Sequence, residues 1–185
     1  MVDSKLPKWA EPLLQGLSYW LGYKKQLYRH YPLSEGAIIG EALHLIYGNI
    51  GEGEKLECEV MYKRLNEKIN HMGNARADIV IKNSDDIPLH VIEVKRRIAP
   101  NAAIIEDFKK LASAKDKFPD CHFYLLLVAQ GRRPSNYVNE DGVAIKGFIH
   151  DENYKLKVRR VCKASDTFKK IDNANYACLI EVQNI

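Results

Sequence analysis

The most constraining feature of this sequence is the stretch from Arg76 to Lys95, which reads RADIVIKNSDDIPLHVIEVK. Two runs of alternating apolar and polar residues flank a short polar break at residues 83–86. Such alternation on both sides of a turn-forming segment is typical of a β-hairpin. The chain is therefore predicted to form an antiparallel strand pair here, with one face of the pair against a core.

The register of this hairpin decides which side chains meet. If the hairpin folds symmetrically about Asp85 and Asp86, Asp78 lies directly opposite Glu93. Directly opposed residues have Cβ atoms about 5 Å apart, so two carboxylates at these positions repel each other unless a cation neutralises them. Lys95 follows Glu93 by two residues and projects from the same face. The hairpin is thus predicted to present two carboxylates and an ammonium group together.

The same pattern has a simpler explanation. Charged residues alternate with apolar ones in any half-solvated antiparallel strand, and a Glu-x-Lys triplet occurs by chance in many proteins. A bulge that shifted the pairing by one residue would reverse the faces of a strand. The opposite face is apolar and is expected to anchor the hairpin to a core through Ile79, Ile81, Ile92 and Val94.

Length and composition limit the class of protein. With 185 residues, of which 46% are apolar and 28% are charged, the chain is expected to be one globular domain. Its four cysteines form no Cys-x-x-Cys pair, which argues against a zinc site or a disulfide framework. No signal peptide or bilayer-spanning segment is recognisable, so we expect a soluble, cytoplasmic protein. The formal charge of +4 permits a nucleic-acid partner without requiring one.

Periodicity predicts further elements around the hairpin. An amphipathic helix over residues 7–30 carries aromatic side chains that are expected in the core or at a dimer interface. A second helix begins after Ser34 as N-cap and ends near Gly48. A third helix is predicted over residues 101–117, and strands are predicted over 56–62, 122–129, 154–163 and 176–183. The predicted order from Ser34 to Ala129 is helix, three strands, helix, strand.

Glu41 lies within the apolar face of the second predicted helix. An ionised carboxylate rarely occupies an apolar stripe without a partner. Glu41 either points toward the same cation as the two hairpin acids or forms a salt bridge to a neighbouring helix. The sequence leaves both interpretations open.

These residues and this order of elements resemble the PD-(D/E)XK nuclease superfamily, which has the restriction-endonuclease-like fold. The resemblance covers about residues 34–129 and rests on Glu41, on Asp78 and on the Glu-Val-Lys triplet at 93–95. The chain departs from the motif in having Ala77, not proline, before Asp78. The implied fold class is α/β, an αβββαβ core with a mixed central sheet and helices on both faces, extended by an N-terminal helix and C-terminal strands.

The resemblance implies a nuclease that hydrolyses DNA phosphodiester bonds with Mg²⁺ or Mn²⁺ as cofactor, in restriction, repair or phage defence. Asp78, Glu93 and the carbonyl group of Val94 would hold the metal, and Glu41 would complete its ligand shell or assist a second ion. Lys95 would orient the attacking water and offset developing negative charge. Two alternatives stay open: a non-catalytic DNA- or protein-binding domain with the same fold, and a nuclease that acts on RNA.

Basic residues elsewhere are candidates for contacts to DNA phosphates, although an exposed Lys or Arg commonly does no more than solvate a surface. They are Arg96, Arg97, Lys109, Lys110, Arg132, Arg133, Lys155, Lys157 and Arg159. The last three alternate along one predicted strand, where lysines also protect an exposed sheet edge from aggregation.

Cutting both strands of a duplex with one site per chain favours a two-fold homodimer. The aromatic first helix is the candidate interface. The sequence leaves open whether a helicase, a methyltransferase or another defence-system partner acts with the chain.

Overall fold

The computed structural model describes residues 5–27, 33–65, 73–96, 101–150, 154–164 and 171–183. The helices are α1 Ala10–Leu27, α2 Glu35–Tyr47, α3 Tyr62–Leu65 and α4 Asn101–Lys115. The strands are β1 Lys55–Met61, β2 Arg76–Lys82, β3 Pro88–Arg96, β4 His122–Ala129, β5 Phe148–His150, β6 Lys155–Ala164 and β7 Asn175–Gln183. One sheet contains all seven strands in the order β1-β2-β3-β4-β7-β6-β5. Only β3 and β4 pair in parallel among the strand pairs described, so the sheet is mixed and the predicted α/β class is confirmed.

Strands β2 and β3 form the predicted antiparallel hairpin. Ile79 pairs with Ile92, and one further step in the same register brings Asp78 opposite Glu93. A register shift does occur in this pair, but it lies at the turn end of β2, away from the two acids. The predicted register is therefore confirmed.

The turn of this hairpin helps to fix that register. The side-chain oxygen of Asn83 accepts hydrogen bonds from the backbone amides of Asp85 (3.0 Å) and Ile87 (2.9 Å). Asp86 has a φ of 61°, a left-handed conformation that Asp tolerates better than most residues. Its carboxylate lies 2.8 Å from the ammonium group of Lys55 on β1.

The helices cover both faces of the sheet. Helices α1 and α2 cover one face, where the predicted anchoring residues Ile79, Ile81, Ile92 and Val94 are buried. Helix α4 covers the other face, where its Phe108 and Leu111 lie against the central strands. Because side chains alternate along a strand, Asp78 and Glu93 face the α4 layer. The hairpin is thus held by apolar burial on one side and carries its acids on the other.

The predicted elements occur with small shifts at their ends. The hydroxyl of Ser34 accepts a hydrogen bond from the amide of Ala37 at 3.2 Å, as expected of the N-cap of α2. Helix α1 extends to Leu27, and the last predicted residues of this helix, 28–30, lie outside the described part. Helix α3 and strand β5 were not predicted, because three or four residues are too few to show a periodicity.

The aromatic side chains near α1 divide between core and surface. Trp9 is buried, whereas Tyr19 and Tyr23 are 61% and 59% exposed and lie with exposed Leu27 along one side of the helix. A dimer interface on this helix stays a prediction. No helix in the described ranges is both long and apolar enough to cross a bilayer.

Candidate active site

Asp78 and Glu93 lie side by side on β2 and β3, beneath α4. The Oδ2 atom of Asp78 accepts a hydrogen bond of 2.6 Å from the backbone amide of Val94, the residue next to Glu93. Glu93 is 3% exposed. Two adjacent carboxyl groups, one of them almost fully buried, need a shared proton or a cation, because their negative charges repel.

Two donors already contact Glu93. The hydroxyl of Tyr62, which follows β1 and is buried, donates a hydrogen bond of 2.6 Å to Oε1. The ammonium group of Lys110 reaches down from α4 and lies 2.8 Å from the same oxygen. Strand, short helix and long helix therefore converge on one buried carboxyl group.

This environment raises the pKa of both acids. Burial raises the pKa of Glu93 to about 7, although the positive charge of Lys110 acts in the opposite direction. Burial also raises the pKa of Asp78, against the effect of the hydrogen bond from Val94. Clusters of carboxyl groups with shifted pKa values are common at functional sites.

Lys95 lies next to this pair but contacts other acids. Its Nζ atom is 3.0 Å from Oδ2 of Asp107 on α4 and 3.7 Å from Oε2 of Glu35 on α2. Burial alone would lower the pKa of Lys95, but these two carboxylates raise it above the usual value. Asp107 also contacts Lys110, with 3.3 Å between Oδ1 and Nζ. Acids and lysines thus alternate through the site, and Asp107 joins the two lysines.

The acid that α2 contributes to this network is Glu35. Besides its contact with Lys95, Glu35 accepts a hydrogen bond of 3.3 Å from the backbone amide of Arg96. Glu41 lies six residues further along α2, about 9 Å along the helix axis. It is half-buried, and within the described residues no ion pair or hydrogen bond joins its carboxylate to another group. Neither interpretation of Glu41 from the sequence corresponds to a contact seen here.

Three residues of the site were not among those predicted from the sequence: Tyr62, Glu35 and Asp107. Asp107 and Lys110 have the i,i+3 spacing of a helical ion pair, a signal that was visible in the sequence. Glu35 directly follows the N-cap, where acids are common because they interact favourably with the helix dipole, so its position does not distinguish it from other first-turn acids. Nothing local marks Tyr62, which reaches Glu93 across 31 positions of sequence.

Glu59 extends the row of acids onto β1. It lies between Cys58, which pairs with Ile79, and Val60, which pairs with Ala77, so it is opposite Asp78. Its negative charge contributes to the raised pKa of Asp78. Its φ of 54° is in the left-handed region, which usually costs a non-glycine residue about 1–3 kcal/mol.

We expect Glu59→Gly to stabilise the protein by about 1 kcal/mol, because glycine adopts positive φ without strain. The ion pair lost with Arg76 is exposed and 3.8 Å long, so its contribution is small. Chemical denaturation measures the change. Glu57→Gly is the control, since Glu57 lies on the same strand without positive φ and the change there should destabilise. A loss of stability in Glu59→Gly equal to that of the control would contradict the expectation.

The predicted DNA-contacting residues divide into exposed and paired side chains. Lys109 and Arg132 are exposed. Arg133 forms an ion pair of 2.7 Å with Asp172, and Arg159 forms one of 3.2 Å with buried Glu181. The side chain of Arg159 is only 7% exposed, so its guanidinium group is directed into the protein.

The other basic candidates have different surroundings. Lys155 and Lys157 lie over the ring of Phe148, with Nζ 5.2 Å and 5.6 Å from its centroid. Arg96 is half-buried at the end of β3, and Lys110 belongs to the acidic site. Arg97 lies outside the described residues.

Asp78 and Glu93 are the candidate ligands for a divalent cation. Within the described ranges, no group of three or more His, Cys, Asp or Glu side chains is arranged to hold a metal ion. Mg²⁺ in proteins is typically held by one or two carboxylates, with water and substrate oxygens as its other ligands. The adjacent carboxyl groups of Asp78 and Glu93 fit that requirement in atom type and in number.

No family model, curated protein or solved structure matches this chain. The chemistry of the site is therefore inferred from its own side chains.

Proposed function

We propose that this protein is a metal-dependent nuclease of the PD-(D/E)XK type, with the restriction-endonuclease-like fold, and that it hydrolyses DNA phosphodiester bonds. The observation that carries the proposal is the pair of adjacent carboxyl groups of Asp78 and Glu93, with Lys95 two residues further along β3. The αβββαβ order from α2 to β4, interrupted by short α3, supports it. So do the mixed sheet and the helices on both of its faces.

In this proposal Asp78 and Glu93 hold Mg²⁺ or Mn²⁺, and the carbonyl group of Val94 is a further ligand. The bound ion would make water a stronger nucleophile and neutralise charge on the phosphoryl oxygens. Lys95, kept positively charged by Asp107 and Glu35, adds a fixed positive charge beside the carboxyl pair. Exposed Lys109 and Arg132 are candidates for phosphate contacts that position the duplex.

The test is cleavage of supercoiled plasmid by purified protein with Mg²⁺, with Mn²⁺ and with a chelator. We expect cleavage with either metal ion, none with the chelator, and none by Glu93→Gln. Asp85→Asn is the matched control, because Asp85 is an exposed acid in the turn of the same hairpin. Cleavage that persists in Glu93→Gln would overturn the assigned site.

One observation favours a second candidate function. Lys110 and Tyr62 already satisfy Glu93 without a metal ion, as expected if the acids only stabilise the fold of a DNA- or protein-binding domain. Calorimetric titration with Mg²⁺ and Mn²⁺ distinguishes the two functions, because a non-catalytic domain of this kind has no need to bind either ion. A parallel assay on single-stranded RNA determines whether RNA is the substrate.

A further inference from the structure

We infer that Lys110 and a divalent cation compete for Glu93, and that Asp107 keeps the displaced ammonium group of Lys110 inside the site. The inference rests on the proposed metal site and concerns how this chain balances the charge of that site with and without the ion.

Glu93 is buried and needs a positively charged partner when it is ionised. A carboxylate that is only 3% exposed must be paired, because an unpaired buried charge is strongly disfavoured. Lys110 is the cation that pairs with it, at 2.8 Å, and the Lys110 side chain is 23% exposed. A metal ion held by Glu93 would occupy the neighbourhood of this ammonium group, so the two positive charges would repel each other at short distance.

Asp107 offers Lys110 a second partner. It lies one helical turn before Lys110 on α4, and its Oδ1 atom is already 3.3 Å from Lys110 Nζ. Lys110 can therefore give up Glu93 and keep a charged partner without any change in the backbone of α4. Lys95, the other partner of Asp107, has Glu35 as a second acid.

The charges of the network also favour a divalent cation. Glu35, Asp78, Glu93 and Asp107 are four carboxyl groups, and Lys95 and Lys110 are two ammonium groups. The charge of neighbouring Glu59 is balanced by Arg76. With every group ionised the network is two positive charges short of neutral. A divalent cation supplies these two charges when Lys110 moves within the site and remains there.

The test is calorimetric titration of Mg²⁺ into the wild-type protein and into Lys110→Gln. Removing the competing ammonium group is expected to tighten Mg²⁺ binding by about tenfold or more. Lys117→Gln is the control of equal net charge, because Lys117 is exposed beyond the end of α4. Unchanged or weaker binding in Lys110→Gln would overturn the inference, and so would an equal gain in Lys117→Gln.

A second measurement covers the case in which Lys110→Gln does not fold. In wild-type protein, the side-chain ammonium signal of Lys110 in a lysine-selective NMR spectrum should shift on addition of Mg²⁺. Lys110→Arg, which keeps the charge, assigns that signal by its loss. A signal that does not move while Mg²⁺ binds would contradict the displacement of Lys110.

The outcome for the inference is separable from that for the proposed function. Tighter Mg²⁺ binding by Lys110→Gln, combined with no cleavage of any nucleic acid by wild-type protein, would support the competition and reject the nuclease. Absence of Mg²⁺ binding by both wild type and Lys110→Gln would overturn the inference itself.

Discussion

Asp78→Asn is expected to abolish metal-dependent DNA cleavage while leaving the protein at least as stable as the wild type. The loss of rate should reach about 10³-fold or more, which corresponds to about 4 kcal/mol of transition-state stabilisation. Stability should be kept because burial raises the pKa of Asp78, so ionising this carboxyl group costs more free energy in the folded protein than in the unfolded chain. The asparagine side-chain oxygen can still accept the hydrogen bond from the Val94 amide.

Plasmid cleavage and chemical denaturation of the same preparations measure both effects. Asp85→Asn makes the same chemical change at an exposed turn position and should keep full activity. If Asp78→Asn lost activity only together with its fold, Asp78 would be a structural residue. Full activity in a folded Asp78→Asn protein would remove Asp78 from the proposed site.

Glu93→Gln is expected to become progressively more stable relative to the wild type as the pH rises from about 4.5 to 7. Burial raises the pKa of Glu93 from 4.5 to about 7, so within this interval the unfolded chain is ionised at Glu93 while the folded protein still holds the proton. Wild-type stability therefore falls as the pH rises, on the order of 3 kcal/mol in total from this group. Glutamine does not ionise, so this fall in stability with rising pH is absent from the variant.

Urea denaturation at a series of pH values, in the presence of a chelator, measures the difference between variant and wild type. Glu106→Gln is the control, because Glu106 is an exposed acid on α4 and its replacement should give a nearly constant difference. A constant difference for Glu93→Gln as well would mean that folding leaves the pKa of Glu93 unchanged. Its pairing with Lys110 would then offset the effect of burial.

Much of the hairpin could be predicted because its information is local. Strict alternation assigned Ile79 and Ile92 to one face and Asp78 and Glu93 to the other. The polar segment that includes Asn83 marked the turn. Once both strands and the turn are placed, an antiparallel register has few alternatives, since a slip of one residue would move the acids into the apolar layer under α1 and α2 and the isoleucines to the α4 face.

The partners of the acids could not be predicted in the same way. Lys95 was expected beside Asp78 and Glu93 because it shares their face of the sheet. The ammonium group that contacts Glu93 belongs instead to Lys110. Helix α4 crosses the face of the sheet that carries the acids, and its Lys110 side chain extends to Glu93 on β3. Lys95 forms ion pairs with Asp107 and Glu35, which belong to helices on opposite faces of the sheet.

The choice between two acids on α2 was likewise made by tertiary structure. Both Glu35 and Glu41 belong to one predicted helix, and helical periodicity alone singled out Glu41. The end of α2 that lies near β3 is its N-terminal end, where Glu35 meets Lys95 and the amide of Arg96. How a helix is docked depends on its packing against the sheet and is not encoded in its own periodicity.

The sequence by itself determined the strand pair, its register and the adjacency of Asp78 and Glu93, because these depend on alternation over about twenty consecutive residues. Only the tertiary structure decided which charges surround that pair. Glu35, Tyr62 and the pair Asp107 and Lys110 come from three separate helices, and their convergence depends on how these helices lie on the sheet. Contacts of this kind arise from packing between elements, which leaves little trace in the local order of residues.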